Sequence, residues 1–277
     1  MLGLQIPNVD AQSLSQLTVA LTGGWPGLAP PLVLHESPGG HANTQLHIVA
    51  VDLTGACVGL KAANRIAHGT QREAIISQLA SSLEMPLGPR QRIMLPIQNL
   101  PKIGGQDFVA SLWHDGAEAL DKLNNVPGGN AIKQAVAADP EPLLVDFGEW
   151  LGFGLVFGIN DRGNAGNWIC SAVGPSIGMI DTEDSLGAPA VHGDYKFPLS
   201  FWNLLQGVNG PAPAGHAHNS QTSAVARGLR QFYKKWAGNH KIVVAQLNQS
   251  PISSAYRCNW MGLGHKEFME KALVGLA

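Results

Sequence analysis

TGACVGLKAA (residues 54–63) and, a few positions on, QREAIISQLASSLE (71–84) decide how the chain is read. The first run is apolar, opens on a Thr54-Gly55 turn and ends at Lys61, the pattern of a strand. The second has apolar residues at 75, 76, 79, 80 and 83, the spacing of one face of an amphipathic helix. Met85-Pro86-Leu87-Gly88-Pro89 stops that helix. Upstream, LVLHES (32–37) and QLHIVAVDL (45–53) flank PGGHANT, so a turn at Pro38-Gly39-Gly40 joins two strands and residues 54–63 complete a three-strand meander. Arg92 to Ile97 and Phe108 to Trp113 read as two further strands. Residues 1–32 read as a leader ending in the Pro/Gly-rich turn GGWPGLAPP.

After Trp113 the character changes. HDGAEALDKL (114–123) and NAIKQAVAA (130–138) look helical, and Glu141 to Ile159 looks like a buried helix. Gly148, Gly152, Gly154 and Gly158 recur along it; each weakens a helix relative to Ala, so close packing against another backbone is the expected reason for them. GINDRGNAGNW (158–168) follows, then WICSAV, a turn at GPS, and IGMID, which suit two short strands flanking a turn. The rest reads as loop to about residue 198 and then mostly helix. The expectation is an α+β fold in two lobes: a β-rich lobe over 33–112 with one key helix, and a larger, mainly helical lobe over 113–277.

Composition narrows the function. Apolar residues make up 45% of 277 and charged residues 14%, which is globular rather than disordered. A formal net charge of −2 leaves no basic footprint for nucleic acid. Cys57, Cys170 and Cys258 lie far apart with no CxxC pair, which fits a reducing compartment, and no Lys or Arg precedes the first apolar patch at Leu17–Leu21. The longest apolar run, 143–159, is broken by Asp146 and Glu149 and is short for a membrane span. A cytoplasmic protein without integral membrane association is expected.

Phosphoryl transfer from ATP uses few parts, most of which position charge. A Gly-rich turn covers the phosphates, a strand Lys touches them and is held by a helix Glu, one Asp orients the acceptor hydroxyl, and Asn and Asp oxygens hold the metal. The chain carries such residues in that order: Gly39 and Gly40, Lys61, Glu73, Asp161, Asn167 and Asp181. Each alone has an ordinary explanation as a hairpin glycine, a solvated lysine, a helix-start charge or a turn residue. Their conjunction and order point to a kinase-type site.

NDRGNAGNW resembles the catalytic loop of type II phosphatidylinositol 4-kinases, N-T-D-R-G-N-D-N-W, and the apolar-ID segment with PLSFWNLL downstream is similar to that family as well. VGLKAAN, REAIISQLASSLEM and RQRIMLP resemble actin-fragmin kinase. Both belong to the broad phosphatidylinositol 3/4-kinase-like group, so the resemblance, over about 33–205, implies a protein-kinase-like fold and an ATP- and Mg²⁺-dependent activity, with Mn²⁺ as an alternative metal. It implies Asp161 as the catalytic residue at the acceptor hydroxyl and Asn167 and Asp181 as metal ligands. It also implies Lys61 on the phosphates paired with Glu73, and a hinge around Leu112, Trp113 and His114 that holds adenine by backbone groups. Arg162 would be structural.

The chain departs from the pattern in three places. Asn167 follows Asp161 by six positions, one more than in the type II loop, which makes Asn164 a rival ligand. Asp181 is followed by Thr182-Glu183 rather than a small residue. A cysteine-rich insert and a basic cluster after Asp181 are both missing, so lipid specificity does not carry over. The acidic residues after Asp181 favour a protein Ser/Thr acceptor over a lipid or small molecule. Other readings stay open: a pseudokinase that binds nucleotide or serves as a scaffold, nucleotidyl transfer on the same fold, and a metal site at His216 and His218 with His192 and His114.

Overall fold

Alternation along the first strands sets their faces. In a computed structural model that describes residues 3–37, 46–62, 68–159, 164–186, 217–249 and 264–274, β1 (Val33–Glu36), β2 (Leu46–Val51) and β3 (Cys57–Lys61) form the antiparallel meander. With β4 (Arg90–Met94) and β5 (Phe108–Leu112) they make a five-stranded sheet of order β1-β2-β3-β5-β4. Leu34, Ile48, Ala50, Val58, Leu60, Ala110, Phe108 and Met94 bury one face, as period-two side-chain direction requires. The chain is mixed α+β, sheet-rich toward its N-terminus and helical toward its C-terminus.

The stretch read as a leader is part of that core. Helix α1 (Ala11–Gly24) starts at Asp10, whose carboxylate accepts from the Ser13 N–H at 2.8 Å. Leu17 and Leu21 are fully buried in the same cluster as the sheet residues, with Leu28 and Leu32 beside them. The fourth strand also begins two residues earlier than the sequence suggests and ends before Pro96, which has no N–H for a ladder. Asp52 fixes the β2–β3 turn. Its carboxylate accepts from the N–H groups of Thr54 and Ala56 and, across the chain, from Ala29, all at 2.8 Å.

Two compact units divide the chain, Met1–Ser77 with Arg90–Asp115, and Gln78–Pro89 with Gly116–Ala277. Helix α2 (Gly69–Ser82) begins in the first and ends in the second. The boundaries expected at 112/113 thus move to 115/116, and 78–89 leaves the first lobe. The second unit holds that segment by side chains: Trp150 Nε1 donates to the Pro86 carbonyl at 2.8 Å, Lys235 Nζ to the Glu84 carbonyl at 2.8 Å, and Gln246 Nε2 to Ser82 Oγ at 2.7 Å.

In the second unit, residues 114–123 depart from the helical reading. Ala117–Ala119 forms β6, paired with Ser171 to Ile169 of β7 (Trp168–Ser171), and Leu120–Lys122 is one 3₁₀ turn. Gly116, at φ +67°, breaks the run, and strand pairing of buried Ala117 overrides helix propensity. β7 continues into β8 (Ser176–Met179) by the expected turn. After α3 (Gly129–Ala138), α4 (Glu141–Phe157) lies against α5 (Ala217–Asn248), and α6 (His265–Val274) packs on them. Of the recurring glycines, Gly148 has the expected cause, whereas Gly152 lies against the Phe232 ring and Gly158 caps α4 in the left-handed region. A β-carbon on Gly228 would lie 1.9 Å from the Val145 carbonyl oxygen, and one on Gly148 would lie 2.2 Å from that of Val225. Trp150, Phe153, Phe157, Phe232 and Trp236 fill the remaining core with edge-on and tilted ring contacts. Among the described residues, no helix is long and apolar enough to cross a membrane.

Candidate functional site

Lys61 is the last residue of β3, which runs between β2 and β5. Val58 and Leu60 turn into the α1-covered core, so Lys61 projects from the other face. Glu73, near the start of α2, approaches it with Nζ and Oε1 3.2 Å apart. The Lys61 side chain is 13% exposed and the Glu73 side chain 1%. One helical turn on, Ser77 Oγ accepts the Gln91 N–H at 2.9 Å, so Glu73 and Ser77 attach the same face of α2 to the sheet at two strands. The β2 partner strand shifts register between Leu46 and Ile48, opposite Lys61 and Leu60, a local irregularity of the kind that re-aims side chains.

The expected hinge carries a restriction. Trp113 N–H donates to the Cys57 carbonyl at 2.9 Å, which continues the β3–β5 ladder one residue past its end. The Trp113 carbonyl accepts from Arg90 Nη2 at 3.1 Å. Leu112 is paired in the sheet with Val58 and Arg90. The Trp113 amide is therefore committed to the sheet, and donors for a ligand edge must come from His114 onward.

In the second unit the residues around the quoted loop take distinct tasks. Asn164 is exposed, and its side-chain oxygen accepts the Gly166 N–H at 3.0 Å, capping the 3₁₀ turn Ala165–Asn167. Asn167 is 3% exposed. Its N–H donates to the Asn164 carbonyl at 3.0 Å, and its own carbonyl accepts the Ile180 N–H at 2.8 Å. Trp168, fully buried against Phe147 at 5.7 Å between ring centroids, fixes the strand that starts there. The Trp168–Met179 register then sets Asn167 opposite Ile180, with Asp181 next in line.

Asp181 has φ +56°, in the left-handed region that non-glycine residues seldom occupy. The short segment after it is fastened at both ends, by Ile180 to Asn167 and by the Leu186 N–H to the Phe157 carbonyl at 2.9 Å. Within it Thr182, Asp184 and Ser185 are buried. Asp184 thus lies inside, and Glu183 is the half-buried carboxylate of the segment. No sequence signal distinguished those buried polar residues from a surface acidic run.

A second carboxylate group escaped the sequence reading because it sits on the apolar helix. Ser176 Oγ donates to Asp146, and Lys235 Nζ lies 2.5 Å from Glu149 Oε2. Burial pushes Asp146 up to about 6; Ser176 opposes the rise and Glu149 adds to it. Glu149 is raised by burial too, against the pull of Lys235. These contacts tie α4 to β8 and α5. Cys170, deeply buried, has its thiol pushed up to about 12 and is unreactive.

Lys61, Glu73, Leu112, Trp113 and His114 thus belong to the first unit, and Asn164, Asn167 and Asp181 to the second. Gly39, Gly40, Asp161, Arg162, His192 and His216 lie outside the described residues, and His218 falls at the start of α5. Comparison with protein-family models finds no match, and comparison with curated proteins finds no significant similarity.

Proposed function

We propose that the chain is an ATP- and Mg²⁺-dependent phosphotransferase, a kinase in a two-lobed protein-kinase-like arrangement, that moves the γ-phosphate of ATP to a hydroxyl, with protein Ser/Thr favoured over a lipid or small molecule. The Lys61–Glu73 pair carries this reading. An ion pair so deeply buried contributes little beyond what apolar side chains of the same volume would. An ammonium held in one position is better explained by a ligand that uses it, and phosphate oxygens need a fixed positive charge.

The metal reading fits the chemistry of the donor set. A carboxylate at Asp181 and an amide oxygen at Asn167 are hard oxygen donors suited to Mg²⁺. Asn164, its oxygen occupied by the Gly166 N–H, suits a structural role better. Bound at Asn167 and Asp181, Mg²⁺ would neutralise charge on the transferring phosphates. Asp161 would accept the proton of the acceptor hydroxyl as its oxygen bonds to the γ-phosphorus and ADP departs.

The committed Trp113 amide and the bulkier residue after Asp181 favour a second reading, a pseudokinase that binds nucleotide or partners without transfer. Incubation with γ-labelled ATP, Mg²⁺ and a cell extract separates the two. Label transfer that is lost in Asp161→Ala and in Asp181→Ala is expected. Transfer that survives both substitutions overturns the assignment of the site. Thermal stabilisation by ATP and Mg²⁺ without any transfer selects the second reading.

A further inference from the structure

Among the described residues no strand pairs with the outer edge of β4, and the hydrogen-bond phase defines which groups that edge offers. Because Trp113 donates to Cys57, the pairs 59/111 and 61/109 are those that exchange hydrogen bonds between β3 and β5. Phe108, Ala110 and Leu112 therefore direct their backbone groups to β4, at Met94, Arg92 and Arg90. The N–H and C=O of Gln91 and Ile93 are left pointing away from the sheet. Gln91 meets this phase by donating to Ser77 Oγ. Ile93 has no such cover among the described residues; it is 42% exposed and Leu95 is 81% exposed.

A groove of about 380 Å³ runs beside this edge. Its α1 wall is made by Gln16, Ala20, Gly23 and Gly24, with the Arg92 side chain packed on Gly24 and open space at Gly23. The other wall carries Arg92, whose guanidinium carbon lies 5.5 Å from the centre of the Trp25 ring. Among the described residues, no carboxylate lines the groove.

We propose that this edge takes an extended acidic peptide from a partner protein as an added β-strand. Its backbone would pair with the outward N–H and C=O of Ile93, an apolar side chain would cover Ile93 and Leu95, and a neighbouring carboxylate on the opposite face would meet Arg92. Charge selects this occupant over a second copy of the chain. Two copies paired antiparallel about Ile93 would set Arg92 diagonal to its counterpart, at a spacing of roughly 7–8 Å, where like charges repel. The proposal is independent of phosphotransfer.

The test is fluorescence anisotropy of a labelled hexapeptide of alternating glutamate and valine with the full chain. Saturable binding is expected, weakened about fivefold by Arg92→Glu. That variant should bind the corresponding lysine–valine peptide better than wild type does, which separates charge reversal from misfolding. Methylating alternate peptide amides blocks one strand edge at a time, so one methylated isomer should bind and the other should not. Equal binding of both isomers, or no saturable binding of either peptide to either protein, overturns the proposal. So does concentration-dependent dimerisation of the free chain that Leu95→Lys abolishes.

Discussion

The Ile180 N–H donates to the Asn167 carbonyl oxygen at 2.8 Å, closing the hairpin end immediately before Asp181. The same short loop uses Asn164 as a cap. The two asparagines are therefore separable by experiment. Asn167→Ala should lower the transfer rate by at least about 10–100-fold, the range for disturbing a metal's ligand environment. Asn164→Ala should remove about 1 kcal/mol of stability and leave the rate within a few-fold. Initial rates and urea denaturation on both variants check this.

Lys61→Met leaves the nearly inaccessible Glu73 carboxylate without its ammonium and should destabilise the protein by about 3 kcal/mol. Adding Glu73→Leu should restore most of that loss, because an apolar pair needs no hydration. Transfer activity should be absent from both variants. A double-mutant cycle by denaturant unfolding reads the stability part.

Asp146 gives a pH dependence of known sign. Its folded pKa, raised to about 6, lies above the ordinary 3.8, so its stabilising contribution is full below the lower value and is lost as pH rises through the upper one. Asp146→Asn keeps an acceptor for Ser176 and cannot ionise. It should therefore gain on wild type by ~1–2 kcal/mol between about pH 5 and about pH 7.5, seen as diverging melting temperatures.

Asp52 behaves in the opposite sense. Burial pushes its carboxyl up, but hydrogen bonds from Ala29, Thr54 and Ala56 more than reverse this and hold it below the ordinary value. Its contribution is present above the unfolded pKa and lost as pH falls through the folded one. Asp52→Ala strands three backbone donors and should remove about 2–3 kcal/mol near neutral pH, with a smaller difference in acid, measurable by urea midpoints.

Gly228→Ala tests the helix contact in the second unit. The new methyl would overlap the Val145 carbonyl, so α4 and α5 must separate, at a cost of about 1–3 kcal/mol despite the gain in helix propensity. Gly238, with open space around its Cα, is the control, and Gly238→Ala should be neutral or stabilising. Thermal melts of the two distinguish packing from propensity.

What was legible in the sequence depended on periodicity. Ile75, Ile76, Leu79, Ala80 and Leu83 are all buried, as their spacing requires, and Lys61 meets Glu73 because a strand end and a helix start leave little freedom. The spacing did not reveal that Arg72, Glu73 and Ser77 are buried too, since polar residues carry no hydrophobic signal even when their partners lie inside. Ala117–Ala119 failed for a related reason: three helix-prone residues are extended because Ile169, Cys170 and Ser171 pair with them from far along the chain. Residues 1–32 carried a signal that the leader reading passed over: Leu14, Leu17 and Leu21 follow helical spacing, and Leu17 and Leu21 anchor α1 in the core. The loop asparagines were visible as candidates, but their different settings depend on two contacts, the Gly166 N–H to the Asn164 side chain and the Ile180 N–H to the Asn167 carbonyl.

Helix α1 also decides what the sheet can present. A five-stranded antiparallel sheet has two equivalent faces until something covers one of them. With Leu17 and Leu21 in one cluster with Leu34, Ile48 and Leu60, the first unit becomes directional: one face is covered and the other bears Lys61. A version of the chain begun at residue 33 would thus lose more than a helix. It would expose the apolar face that α1 covers, and the sheet would no longer have a front and a back.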